Sequence, residues 1–513
     1  MDTSPTAGLR AGALLRSLRW LLLGAAALTL VAFVATVLAR VGYPFELEWM
    51  EGGSLDHVRR LLSGRALYVR PTLEFVPFIY TPLYYYLCGL LGWLFGPSLQ
   101  LLRAVSIAST CLTAIVVYAQ VQHETRDRYA AFLAAALLIG TYRLTGYWFD
   151  VARADASCML LLSVASYLVR CGRGRASAVA AAVVLTLAWL TKQVALPAAL
   201  PLGGYLLLQQ RARGGWFAGS FLLLSAAAFF ALEQLHGGWF AYYTVLLPAQ
   251  HAWLGELWPQ FWLKDLRRLA PTGLLVLVTL LSGRSDPALQ RFYGPLALTL
   301  FGVSWLARLH DGGDRNVIMP ALLVAALVFG LIVHRSFALA NERTPLERGA
   351  AYALCVSQLA LLLFVPWQQV PSSEDRRIGR DFIARLRVVS GDVYVVDHGF
   401  YPALAGKRAL AHGMAVADVV RGDAGPASRA LSAEITQAVA TRRFAAVVVG
   451  TVVGATGVDW RRGIQLNHPP AGFVEALERH YVATTFLYGD TTAFTPRVGW
   501  PRRPCVIYTP KPE

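Results

Sequence analysis

Residues 20–39 read WLLLGAAALTLVAFVATVLA, and residues 45–52 read FELEWMEG. The first stretch is apolar for about twenty residues, enough to span the ~30 Å hydrocarbon core of a bilayer as a helix. The second sets Glu46, Glu48 and Glu51 at the surface of that bilayer. Carboxylates so close together repel one another and lose hydration beside lipid, so their presence there points to chemistry or ion binding.

Working outward, apolar stretches recur from residue 20 to about 367 and then stop. The 513-residue chain is 56% hydrophobic and its mean hydropathy is +0.47, too apolar for a soluble globular protein. This predicts a polytopic α-helical membrane protein of about eleven spans, with a membrane domain over 1–369 and a soluble α/β domain over 370–513. The expected spans are 20–40, 101–121, 129–147, 155–170, 176–191, 194–209, 216–233, 269–283, 292–308, 317–334 and 349–367. Residues 80–95 (YTPLYYYLCGLLGWLF) are apolar but short and aromatic, and read as a re-entrant or interfacial helix.

The net charge of +16 does not signal a nucleic-acid partner, because the basic residues sit in short loops between apolar stretches. Arg126/Arg128, Arg170/Arg173/Arg175, Arg211/Arg213, Arg284/Arg291 and Arg335/Arg343/Arg348 fall on one side with Arg10, Arg16 and Arg19. The positive-inside rule makes that side, and the N-terminus, cytoplasmic and the C-terminal domain extracytoplasmic. Lysine occurs only at 192, 264, 407 and 511; this arginine bias fits a GC-rich bacterial genome and a multi-pass protein of the plasma membrane. The six scattered cysteines suggest neither a disulfide framework nor a zinc site.

With this topology the polar residues gather on the outer side, in the long first loop (41–100) and at the span ends. Residues 52–64 (GGSLDHVRRLLSG) have apolar positions at helical spacing and read as an amphipathic helix at the interface. Glu48 and Glu51 share a face if that helix starts early, and Glu46 points elsewhere. Asp150, Arg153 and Asp155 flank one span start; Asp155 is a helix cap or a second site carboxylate. Lys192 lies in a turn between spans, either snorkelling or holding a phosphate. The turn His310-Asp-Gly-Gly-Asp-Arg315-Asn316 folds on two glycines and places an arginine where an anion could bind.

The order of these motifs carries a resemblance: one span, an acidic loop, a helix ending Leu-Leu-Ser-Gly, then Tyr80-Thr-Pro-Leu-Tyr-Tyr-Tyr-Leu, Leu102-Arg103, Arg153-Ala-Asp155 and Thr191-Lys192-Gln193. Over residues 15–370 the chain resembles the GT-C superfamily of membrane glycosyltransferases, and within it the bacterial relatives of protein O-mannosyltransferases and lipid A aminoarabinose transferases. The resemblance implies inverting transfer of a sugar from a polyprenyl-phosphate donor to a glycan, lipid or protein acceptor outside the membrane. Such a reaction needs a carboxylate base and cations for the leaving phosphate. The family's Asp-Glu pair falls on Met50 and Glu51, so Glu51 matches the second acid and Glu48 stands in for the first. The expected catalytic residues are therefore Glu51, Glu48 and Asp155. The expected phosphate ligands are Lys192, Arg315, Arg103 and Arg153, with Tyr80, His310 and Asn316 at the substrate. Three nearby carboxylates leave room for Mg²⁺ or Mn²⁺. The competing class, a transporter or flippase of lipid-linked glycans, predicts internal repeats and mid-span charges; neither is visible.

In the C-terminal part, 376–388 and 431–441 read as helices and 392–397 and 444–450 as buried strands. No dinucleotide fingerprint follows the first strand. Asp397 and His398 read as structural, and the domain is expected to hold the acceptor or cover the cavity.

Overall fold

The computed structural model describes residues 5–282, 286–338, 344–422, 425–452, 468–487 and 491–512. Helices form at every expected span. Seven are long and apolar enough to cross a membrane: Ala13–Arg40, Leu99–Thr125, Gly174–Thr191, Arg211–Leu235, Pro287–Leu309, Arg315–Phe337 and Leu346–Gln369. The other four are shorter: Arg128–Gly140, Asp155–Cys171, Ala199–Gln209 and Ala270–Leu281. Three of these are extended by a 3₁₀ turn, at Thr141–Arg143, Gln193–Ala198 and Arg267–Leu269. Leu83–Phe95 has 13 residues, about 20 Å at 1.5 Å per residue, too short for a full crossing.

Side-chain caps fix several helix starts. Ser98 Oγ accepts Leu101 N–H at 3.2 Å, and Asp127 Oδ1 accepts the N–H groups of Tyr129 and Ala130 at 2.9 and 3.2 Å. Thr344/Glu347 and Ser372/Asp375 form capping boxes. The helix Asp155–Cys171 packs between Leu99–Thr125 and Gly174–Thr191, and Met319–Ala338 packs on Arg128–Gly140.

The helix expected over 52–64 forms as Glu51–Leu62, and its first half is enclosed by protein. Its Glu51, Gly52, Gly53, Ser54, Leu55, His57 and Val58 are buried. An added Cβ would overlap Phe400 at Gly52 and Phe78 at Gly53, so two glycines let the helix be enclosed from both sides. His57 stacks on Phe78 and Tyr85, and burial pulls its imidazole down to about 3, leaving it neutral.

The C-terminal domain is a four-stranded sheet flanked by helices. Its strands are β1 (Val393–Val395), β2 (Ala446–Val452), β3 (Tyr481–Phe486) and β4 (Arg502–Pro510), in the order β1-β2-β4-β3. β1 runs parallel to β2, with Val393 opposite Ala446, while β4 runs antiparallel to β2 and β3. The valine run of β2 suits a central strand buried on both faces. Helix Ser373–Val388 contains the expected 376–388, and Pro426–Ala440 matches the expected 431–441 to within one residue at its end.

This domain sits on the first loop of the membrane domain. Val498 N–H donates to Leu47 O, Ala411 N–H to Leu73 O, and His412 Nε2 lies against Trp49 O, each at 2.9 Å. Glu46 Oε2 lies 2.5 Å from His398 Nδ1. Burial raises the Glu46 carboxyl, with Glu51 adding to it, and lowers His398 to about 4. Asp397 is tied to Arg502 at 3.0 Å. Both strand-end residues thus join parts of the structure.

Candidate active site between the acid loop and the C-terminal domain

The three glutamates diverge. Glu51, the first residue of its helix, is fully buried and saturated. Its Oε1 accepts from Arg103 Nε at 2.9 Å and Ala152 N at 2.8 Å; its Oε2 accepts from Arg103 Nη2 at 2.5 Å and Leu47 N at 2.7 Å. Arg103 spends its remaining donors on the carbonyls of Val41, Tyr43 and Phe45. The pair is a buried clamp on the loop, with no oxygen of Glu51 left to accept a substrate proton. Arg103, expected at the donor phosphate, has no donor left to offer it. Glu48 and Glu51 do not share a helical face, because the helix begins only at Glu51.

Glu48 lies in the turn before the helix and lines a small, partly open cavity of about 40 Å³. Tyr80, Arg153, Asp314 and Asn316 also line it, with Trp49, Trp148 and the C-terminal domain's Met414, Arg421 and Trp500. Glu48 Oε2 accepts from Arg153 Nη1 at 3.3 Å and Met50 N at 3.2 Å. Its Oε1 is buried without a hydrogen-bond partner. Burial pushes the Glu48 carboxyl up to about 8; Arg153 opposes the shift, while Glu51 and Glu46 add to it. A buried acceptor left unmade costs about 1–3 kcal/mol, a cost that a substrate hydroxyl would remove.

Arg153 Nη2 donates to Tyr80 OH at 2.8 Å, and its guanidinium lies 5.0 Å from the Tyr80 ring centre and 5.8 Å from that of Trp148. Lys192 forms an ion pair with Asp155 and sits 5.2 Å from the Tyr80 ring centre. Asn316 Nδ2 donates to Asp155 Oδ1 at 3.0 Å. Six expected site residues, Glu48, Arg153, Tyr80, Asp155, Lys192 and Asn316, thus form one connected group. His310 does not join it: its ring packs 4.1 Å from that of Trp253, across a bridge between 253 and 310. Asp150 is locked to Arg40 at 2.5 and 2.8 Å and to Tyr142 OH at 2.8 Å.

Arg315 is exposed and its Cδ lies 3.6 Å from where a Cβ on Gly146 would stand. Four guanidiniums reach Tyr147 with their charge: Arg40, which Asp150 holds, and the three of Arg315, Arg143 and Arg268. Arg143 and Arg268 donate to the carbonyls of Leu363 and Leu361. Among the described residues no carboxylate pairs with these three. Trp148, next along the chain, faces the cavity, so the cationic cluster and the cavity lie on either side of one turn.

Among the described residues no three His, Cys, Asp or Glu side chains converge on a common point. Glu46, Glu48 and Glu51 point to His398, Arg153 and Arg103. These three carboxylates therefore do not share one metal site.

Sequence reasoning did not reach Trp49, Trp148, Trp500, Met414, Arg421, Arg143 or Arg268. Trp148 had a local signal, standing two residues before Asp150. Trp500 and Arg421 had none, because only the folding of the C-terminal domain brings them to the cavity.

Residues 77–239 match the family model described as dolichyl-phosphate-mannose-protein mannosyltransferase. No curated protein matches the chain. Among solved structures, the chain is similar to ArnT from Cupriavidus metallidurans bound to undecaprenyl phosphate, at 14% identity and a TM-score of 0.56, over 95% of this chain and 98% of that one. The apo state of the same protein gives a TM-score of 0.55 at 14% identity, over 95% and 97%. The fold is thus shared along nearly the whole length, C-terminal domain included, and residues 77–239 carry the sequence pattern of that mannosyltransferase family model.

Proposed function

We propose that this protein transfers a sugar from a polyprenyl-phosphate donor to a hydroxyl acceptor outside the membrane, with inversion, and that Glu48 is the base. The observation that carries this reading is Glu48 Oε1, a buried carboxylate oxygen without a hydrogen-bond partner on a residue that lines the cavity. In the reaction Oε1 takes the acceptor's hydroxyl proton. The hydroxyl oxygen attacks the anomeric carbon from the face opposite the phosphate, and the bond from that carbon to the phosphate oxygen breaks. The phosphate leaves with the electron pair.

The leaving group is an anion on a lipid, so its cations belong at the bilayer surface. Arg315 with Arg143 and Arg268 supports that role, since these guanidiniums stand at span ends without carboxylate partners among the described residues. Arg153 orients Glu48 and brings positive charge to the cavity. Lys192 and Asp155 balance each other's charge and, with Asn316, fix the wall around Tyr80. Glu51 and Arg103 act as positioning residues that hold the acid loop.

The test is transfer in proteoliposomes holding a radiolabelled polyprenyl-phosphate sugar, with a cell-envelope extract as acceptor source. Label in a new glycosidic linkage, lost in Glu48→Gln, is expected. Label that crosses the bilayer with its lipid and forms no new bond would make the protein a flippase instead.

A further inference from the structure

The cavity beside Glu48 has an aromatic side as well as a charged one. Trp49, Trp148 and Trp500 all face it. The rings of Trp49 and Trp500 are nearly parallel, 13° apart, with centroids at 6.3 Å. Trp49 is 4% exposed and Trp500 41%, so the outer indole of this stack has surface left to cover. The Trp148 indole N–H is buried and finds no hydrogen-bond partner. A buried Trp usually pairs its N–H, and leaving it unmade costs free energy.

Trp500 is delivered to this place by the soluble domain. Val498 N–H donates to Leu47 O at 2.9 Å, and the chain then turns at Gly499 with φ +70°. A Cβ at 499 would stand 3.0 Å from the Trp148 ring and 3.3 Å from Glu48 Oε1. Only a residue without a side chain lets the segment pass this close while keeping the left-handed turn. The three indoles and the free carboxylate oxygen are therefore assembled by one contact between the two domains.

We propose that Trp49, Trp148 and Trp500 form the acceptor subsite, and that the acceptor group is a pyranose ring of a saccharide. A pyranose presents a flat face of C–H bonds and a rim of hydroxyls. The C–H face matches the open indole of Trp500. One hydroxyl takes the Trp148 N–H as donor, and another gives its proton to Glu48 Oε1. The hydroxyl of a serine or threonine in a peptide answers Glu48 but brings no such face. A few placed polar groups in an aromatic wall is the common construction of a small-molecule site. This inference rests on the glycosyltransferase reading and narrows its acceptor.

The test needs no donor and no turnover. Full-length protein in lipid nanodiscs is mixed with methyl α-mannoside, methyl β-glucoside, N-acetylglucosamine, chitobiose or a threonine-containing peptide, and saturation-transfer NMR is recorded. The expected result is saturation of at least one saccharide, strongest on the C–H protons of one ring face. Trp500→Ala removes it, Trp500→Phe keeps it, and Trp148→Phe weakens binding about three- to tenfold through the lost N–H. Retention in Trp500→Phe separates lost stacking from misfolding. No saccharide signal that depends on Trp500, or such a signal from the peptide alone, overturns the proposal. If transfer still requires Glu48 in that event, only the acceptor assignment falls; if saccharides bind but no transfer occurs, only the glycosyltransferase reading falls.

Discussion

A base with a carboxyl raised to about 8 has a defined pH signature. Glu48 must be ionised to take a proton, so activity rises with pH. At pH 6 about 1% of Glu48 is ionised, at pH 7 about 10% and at pH 8 about half, by simple titration. The rate constant kcat/KM, which reports the free enzyme, is therefore expected to rise about tenfold per pH unit below 8, roughly 50-fold from pH 6 to 8, and to level off near pH 9. The donor is a phosphodiester whose charge stays constant across this range, so it adds no slope of its own. Glu48→Gln keeps the side-chain shape and the acceptor oxygen for Met50 N–H. It is expected to lower kcat by about 10²–10⁴, the usual share of general-base catalysis, and to flatten the profile. The assay is label transfer in nanodiscs buffered from pH 6 to 9.5, with thermal unfolding followed in parallel. The folded-state carboxyl lies above its ordinary value of 4.5, so folding favours the protonated form and Glu48 contributes less stability as pH climbs toward 8. A falling melting temperature over that range, alongside rising activity, separates the two effects. A flat kcat/KM between pH 6.5 and 9 in the wild type, or the same slope surviving in Glu48→Gln, would refute the assignment.

Other consequences follow from the same geometry. Arg103→Met strips the buried, saturated Glu51 of its partner and is expected to cost about 3–5 kcal/mol, seen as loss of folded protein on detergent size-exclusion rather than as a shifted pH profile. Gly499→Ala forces a side chain into a left-handed turn, at about 1–2 kcal/mol for the backbone alone, and crowds Trp148 and Glu48. Its kcat should drop at least tenfold while the monodisperse yield holds, and wild-type kcat would count against the close approach of the soluble domain. Neutralising Arg315, Arg268 or Arg143 one at a time to Gln should raise the donor KM by roughly 10- to 150-fold each, given about 1.5–3 kcal/mol for a charge-assisted hydrogen bond. An unchanged donor KM in all three would move the lipid phosphate elsewhere.

How far the chain reports its own structure depends on the range of the forces involved. The helices of the apolar stretches were legible because twenty apolar residues in a row have few other fates, and Leu83–Phe95 was legible as a shorter apolar helix. The acidic loop was legible as a site, but the choice among its glutamates was not. Their partners lie 52, 105 and 352 residues away, at Arg103, Arg153 and His398. Helical spacing grouped Glu48 with Glu51, whereas the helix begins at Glu51, three residues too late for that. The 52–64 helix showed an amphipathic pattern, which by itself suits a lipid interface equally well; the cover supplied by Phe78 and Phe400 has no local trace. β1 and β2 announced themselves as valine-rich runs. β3 alternates with polar threonines, and β4 opens on Arg502, Arg503 and Pro504, residues that read as loop until the sheet pairs them. His310 suited an anion site by residue type, and its contact with Trp253 took it elsewhere.

The central claim is that the unpartnered oxygen of Glu48 takes the acceptor proton, and the most direct measurement reads donor binding and donor turnover on one sample. Wild type and Glu48→Gln in nanodiscs are each loaded with a labelled polyprenyl-phosphate sugar, bound label is counted, and acceptor extract is added in single turnover. The account predicts equal loading, rapid release of polyprenyl phosphate with an inverted product from wild type, and release slowed by at least 10² in Glu48→Gln. Equal loading followed by release at the wild-type rate in Glu48→Gln would contradict it.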